Sequence, residues 1–383
     1  MESIEWTSAP GRAGGVAAAE EGWQGRLVSA GTAYLEEIEP LVAAADPEGR
    51  VAPRSRRLCG ALGLLSRVTY EGLGGRRHAG EVGVAGAALS LLTKVDDEVI
   101  DSPGFHGGME TDRRALRART AAYLGPTLRS LRSGEPAGAE PRCALAADVG
   151  RRLRRLAGDP LRLAHLLEVI AEGWRIQVDA VEVLSAHPGA VTLGEVARVT
   201  RRISGAWLLM IALIGALPGD AARAPSEYEE EAFHDWGFHI QRADALADLE
   251  KDCRDGLVST FAGRLSWERE PGRYLTACAQ GDGAALYAMV ARHRVDEECV
   301  RGGAPAAALG ARLAGLGEAH ALLRWIHGFL MHRYLVHPRC LRDGRDPAFR
   351  AIWERRAAWS AYVESGGRRA GGAEAREAAT WAG

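Results

Sequence analysis

The chain has 383 residues, 47% hydrophobic and 26% charged, with a formal net charge of −2. That balance excludes a disordered chain, which is poorer in apolar residues and charged to one sign. It also lacks the basic surplus of a nucleic-acid binder, so no nucleic-acid partner is expected.

Only two of the 48 basic residues are lysine, Lys94 and Lys251. Ala, Leu, Arg, Glu and Gly dominate, an alphabet that fits coding bias in a GC-rich genome and favours helix over sheet. The Gly/Ala/Glu-rich segment 1–25 reads as flexible. It has no basic start followed by an apolar run, so no secretory signal is expected. Helical spacing of apolar residues then predicts helices over 24–45 and 56–70, with a Gly-rich loop at 72–80. A long apolar helix over 81–100 ends in acid and then in Ser102-Pro103-Gly104, a stop signal. Further helices are predicted over 111–132, 143–156 and 160–186. Thr192 with Glu195 three residues on forms a capping-box pattern that opens a helix running to Leu217. The most apolar stretch, Ala206–Leu217, is too short to span a bilayer. Residues 227–252 form one predicted helix closed by Asp255-Gly256. Two or three helices follow over 273–337 and a last one over 347–364, and 366–383 reads as a disordered tail. The expectation is an all-α fold in a single domain, 26–365. The six cysteines are widely spaced, with no CxxC pair and no zinc spacing. They read as reduced thiols of a cytoplasmic protein.

Two acidic constellations carry the chemistry. Asp97 and Asp101 are i,i+4 and share a helix face, with Asp96 an extra acid before them. At the C-terminal end of a helix they repel each other and oppose the macrodipole, which prefers cations there. The second is Gln241-x-x-Asp244-x-x-x-Asp248-x-x-x-Asp252, three aspartates that stack along one helix with Lys251 and Arg254 nearby. Aspartate forms helix less readily than glutamate, so three in register suggest selection for short carboxylates. Either cluster alone also reads as a solvated acidic face. Together, each beside apolar helical sequence, they suit Mg²⁺, which binds through one or two carboxylates plus substrate phosphates. The ion would act as a Lewis acid on a diphosphate, and the apolar interior would receive the hydrocarbon part.

On these residues the sequence resembles the class I isoprenoid synthases, and among them the squalene/phytoene synthases. Their second motif, Q-x-x-N-x-x-x-D-x-x-x-D followed by a basic residue and Gly, is matched by Gln241, Asp244, Asp248, Asp252, Arg254 and Gly256. Thr192-x-x-Glu195 leading to Ile203-Ser204-Gly205 is similar to a second family stretch, and Asp97-x-x-x-Asp101 to the first D-x-x-x-D. The likeness covers about residues 85–260 and departs at Val199-Thr200, where the family has Tyr-Cys. It implies a helical bundle enclosing an apolar cavity and a Mg²⁺-dependent, diphosphate-releasing prenyltransferase. Asp96, Asp97, Asp101, Asp244, Asp248 and Asp252 would hold metal, with Asp97, Asp101, Asp248 and Asp252 catalytic. Lys94, Arg202, Gln241, Lys251 and Arg254 would bind substrate. The implied partner is a prenyl diphosphate of C15 or longer joined head to head, with peripheral membrane contact for an apolar product. A terpene cyclase acting on one prenyl diphosphate is the alternative. A chain-elongating prenyl diphosphate synthase and a non-catalytic prenyl-lipid binding protein rank third. The elongating family needs lysines where this chain has none.

Overall fold

The computed structural model describes residues 30–51, 53–106, 112–301 and 306–335. Secondary structure there is helical throughout, with no strand among the described residues. The helices are α1 (30–45), α2 (Pro53–Gly72), α3 (Ala79–Ile100), α4 (Pro103–His106), α5 (Arg113–Ser133), α6 (Pro141–Leu156), α7 (Pro160–Leu184) and α8 (Leu193–Ile214). They continue with α9 (Glu227–Ala247), α10 (Leu249–Asp255), α11 (Phe261–Arg269), α12 (Pro271–Gln280), α13 (Gly283–His293), α14 (Val295–Arg301), α15 (Ala306–Arg312) and α16 (Gly317–Leu335). The segment 1–25, the helix over 347–364 and the tail 366–383 lie outside the described residues.

The expected all-α fold is present. Helix α3 is its centre. Every residue from Val82 to Leu92 is buried, as a helix that is apolar all round must be. It packs against α2, α6 and α8. Small residues let α2 and α3 approach almost backbone to backbone: a Cβ on Gly63 would collide with the Gly83 carbonyl and Ala87. Helix α8 opens with the predicted capping box. Thr192 Oγ1 accepts from the Glu195 amide at 3.1 Å, and the Thr192 amide donates to Glu195 Oε2 at 2.7 Å.

Helices α8 and α9 meet at a second glycine contact, where a Cβ on Gly237 would overlap the backbone of Ser204 and Gly205. Gly237 lies one turn before Gln241, so this contact sets where the second acidic motif sits relative to α8. Gly237→Ala is expected to cost about 1–3 kcal/mol by overpacking, read as a lower midpoint in urea unfolding.

Three differences from the sequence reading concern the helices around the second acidic motif and the cysteines. The predicted helix over 227–252 is two helices, because Asp248 (φ −106°, ψ 10°) leaves helical geometry between α9 and α10. The i→i+4 bonds continue through the break, from the Asp248 amide to the Asp244 carbonyl and from the Asp252 amide to the Asp248 carbonyl, both 2.8 Å. The acids therefore keep their register. The region 273–300 is divided into α12, α13 and α14 by left-handed residues, Gly281 (φ 64°) and Arg294 (φ 56°). Third, Cys253 of α10 and Cys278 of α12 are paired as a disulfide, their Cα atoms 5.0 Å apart. This corrects the expectation of reduced thiols at both: a separation of 25 residues gives no spacing signal, and only the packing of α12 on α10 brings them together. Cys59, Cys143 and Cys299 are free and buried. Among the described residues no helix is long and apolar enough to cross a membrane.

Candidate active site

The C-terminal third of α3 presents Lys94 and Asp97, and its C-cap Asp101, at helical spacings of three and four. The α9–α10 segment presents Gln241, Asp244, Asp248, Lys251 and Asp252. These eight residues, with Asp96, line a single cavity of about 230 Å³. Two stretches some 150 residues apart in sequence thus meet at one place. The apolar part of the wall comes from α5, α7, α8, α9 and α16 through Leu124, Trp174, Val181, Met210, Ile240 and Leu330.

The electrostatics show that the two clusters feel each other. Burial is the largest influence on Asp97 and raises its carboxyl to about 7; repulsion from Asp101, Asp96 and Glu98 adds to this, and Lys94 opposes it. Asp252 is raised well above the usual carboxylate range by burial and then by Asp248, with further repulsion from Asp244 and, across the cavity, Asp101. Burial works against the charge on Lys94, yet Asp97, Glu98, Asp101 and Asp244 together hold its ammonium raised. Lys251 is also raised: burial and repulsion from Lys94 lower it, but Asp252 and Asp255 outweigh them. Each lysine pairs with a carboxylate one turn on, Lys94 with Glu98 at 3.3 Å and Lys251 with Asp255 at 3.0 Å. Two ammonium groups thus stand among five aspartates in this part of the cavity wall.

The donor set fits Mg²⁺. The five aspartates Asp97, Asp101, Asp244, Asp248 and Asp252 offer hard oxygen donors, and burial, with repulsion from neighbouring carboxylates added, raises the carboxyls of Asp97 and Asp252. Among the described residues no group of three stands close enough to hold an ion alone.

Three expected site residues are placed differently from the rest. Asp96 is paired with Arg142 of α6 at 3.5 Å and is 2% exposed. One residue is a rotation of about 100° on a helix, which takes Asp96 off the face shared by Asp97 and Asp101. Arg202 and Arg254 do not line the cavity. Arg202 pairs with Glu172 at 2.8 Å, and Arg254 pairs with Asp255 at 3.4 Å with its side chain 67% exposed. Arg202→Ala and Arg254→Ala are each expected to change diphosphate release from prenyl substrates by less than threefold, measured with a phosphate-coupled assay.

Sequence reasoning did not single out Gln177 of α7, which lines the cavity and donates to Asp97 Oδ1 at 3.3 Å. A lone glutamine on an apolar helix carries no motif. Trp174 and Trp207 line the wall, and Trp207 Nε1 donates to Thr93 Oγ1 at 3.1 Å. Trp236 instead packs among His239, His320 and His327, with ring centroids 5.6–6.3 Å away. Cys59 also lines the cavity, but burial pushes its thiol up to about 12, which leaves it unreactive.

No protein-family profile matches the sequence, and no curated protein matches it. Among solved structures, a geranylgeranyl pyrophosphate synthetase from the archaeon Geoglobus acetivorans is similar with a TM-score of 0.48 at 15% identity. The match covers 80% of this chain and 98% of that one.

Proposed function

We propose that this protein is a class I isoprenoid synthase that ionises an allylic prenyl diphosphate. The observation that carries the reading is the convergence of both acidic motifs and both lysines of the chain on one apolar-walled cavity. Asp97 and Asp101 from α3, and Asp244, Asp248 and Asp252 from α9–α10, would hold Mg²⁺, which when bound supplies Lewis-acid polarisation of the diphosphate. Lys94 and Lys251 bind the departing diphosphate as point charges. Gln177 orients Asp97 by its hydrogen bond, and Gln241 sits in the same wall as a substrate-binding group. The apolar walls exclude water from the allylic cation. The indoles of Trp174 and Trp207 offer it aromatic faces.

The motif likeness to squalene/phytoene synthases favours head-to-head condensation of two prenyl chains. The cavity volume favours the second reading, a terpene cyclase with one substrate. At about 230 Å³ it falls below the roughly 300–1,000 Å³ typical of ligand pockets, and one prenyl chain fills it more readily than two. Purified protein incubated with Mg²⁺ and C15 or C20 diphosphates, followed by product mass analysis, decides. A product of doubled carbon number indicates condensation, and a hydrocarbon or alcohol of unchanged carbon number indicates cyclisation. No release of diphosphate from any prenyl substrate would overturn the proposal and leave the prenyl-lipid binding reading.

A further inference from the structure

Charge is unevenly placed along the chain. Residues 113–156, which form α5, α6 and the turn between them, carry eleven arginines against three acids. That is a net of +8 in a chain whose formal net charge is −2, so the remainder carries −10. Helix α5 itself has six arginines and no acid. Arg117 is paired with Asp179 and Glu182 of α7, and Arg119 lies over the Phe105 ring at 5.5 Å. Arg114, Arg129 and Arg132 are exposed, and among the described residues no acid pairs with their guanidinium groups.

These three share one face. Arg114 and Arg132 are 18 residues apart in sequence, which is five full turns and about 27 Å of helix, and Arg129 is one turn from Arg132. Between them the face shows Ala118, Ala121 and Ala122, all exposed. The opposite side of α5 is buried through Leu116, Leu124 and Leu131. The helix has no local need for all of these charges. Arg132 suits the negative C-terminal end of the dipole, but Arg114 is in the first turn, where the backbone end is positive and a cation is unfavourable.

We propose that the outer face of α5 docks on an anionic lipid bilayer. Arginines beside an anionic membrane are attracted to its headgroups, and the alanines between them let the helix lie close to the surface. The −10 carried by the rest of the molecule is repelled, so this face turns toward the lipid. It has none of the large exposed aromatic side chains on which single-stranded nucleic acid stacks. A bilayer is favoured over other polyanions because Leu124, on the inner side of the same helix, lines the cavity. One helix then separates the hydrocarbon chamber from the docked lipid, a step that rests on the function proposed above.

The test is cosedimentation of the full chain with vesicles of phosphatidylcholine, alone and mixed with phosphatidylglycerol. Wild type should bind the mixed vesicles, leave the neutral ones, and be released at about 0.5 M salt, where exposed charges are screened. Each arginine near an anionic surface strengthens binding about fivefold, so the triple variant Arg114→Glu, Arg129→Glu, Arg132→Glu should bind at least about tenfold more weakly. A control of equal net charge, Arg50→Glu, Arg76→Glu, Arg324→Glu, reverses exposed arginines on other elements and should change binding by less than about threefold. Thermal transitions check folding, and if the Glu triple does not fold, Arg114→Gln, Arg129→Gln, Arg132→Gln carries the comparison. Equal binding of wild type to neutral and mixed vesicles, or equal loss in the α5 variant and the control, overturns the proposal. Tighter binding of wild type to duplex RNA than to mixed vesicles at the same salt also overturns it, and gives the face to nucleic acid. Vesicle binding needs no turnover, so a protein that docks but releases no diphosphate sinks the proposed function and not the docking face.

Discussion

Asp97→Ala and Asp248→Ala are each expected to lower diphosphate release from a prenyl substrate by at least about a thousandfold, a loss of roughly 4 kcal/mol of transition-state stabilisation. The size follows from where the two groups stand. They come from the two facing clusters, and each is one of few hard oxygen donors on its side. Mg²⁺ bound through one or two carboxylates plus substrate phosphates depends on each of them, so removing a single carboxylate weakens that side's hold on the diphosphate. Residues that act as a unit are non-additive, so the double variant should be little worse than either single one. A direct diphosphate assay in saturating Mg²⁺ provides the check. Near wild-type rates in both single variants would remove the acidic clusters from the chemistry and with them the functional reading.

Much of the fold and of the acidic site is legible in the sequence. Helix periodicity, the Thr192–Glu195 capping box and the glycine stops give the all-α reading, because each is a local signal with a local physical cause. The acidic motifs were legible because their spacing puts carboxylates on one face, and an i,i+4 relation survives even the break at Asp248. The lysine scarcity turned out to be informative: both lysines of the chain stand in the cavity wall.

What sequence could not supply depends on contacts between distant segments. Gln177 reaches Asp97 across 80 positions, and Arg142 reaches Asp96 across 46. Nothing local marks either partner. Adjacency in sequence groups Asp96 with the metal-binding acids, while the helix turns it to a different face from Asp97 and Asp101. The family resemblance implies substrate binding by Arg202 and Arg254; the bundle pairs them with Glu172 and Asp255, contacts that no motif marks. The Cys253–Cys278 pairing likewise needs α12 to fold back on α10.

A variant that abolishes chemistry should make the metal-free protein more stable. Asp97 titrates near 7 in the folded state, raised mainly by burial, against about 3.9 in an unfolded chain. A carboxyl raised in this way contributes stability that is complete below about pH 4 and lost as pH rises through 7, because the unfolded state gives up its proton first. Asp97→Asn keeps the size of the side chain and removes that loss. Without metal it should match wild type near pH 4 and exceed it at pH 7.5 by on the order of 2 kcal/mol, with partial exposure of Asp97 tempering the full linkage value. His327 acts in the opposite sense over the same range: burial lowers it to about 3, so stability is gained as pH rises toward 6.5. It is present in both proteins and cancels in the comparison. Thermal melts at pH 4, 5.5 and 7.5 in a chelator measure the difference. Mg²⁺ with inorganic diphosphate should then raise the wild-type melting temperature at pH 7.5 by mass action and leave Asp97→Asn nearly unmoved. A variant less stable than wild type at pH 7.5 would mean that the carboxylates at the mouth are already compensated within the protein. The site would then have no need of a cation.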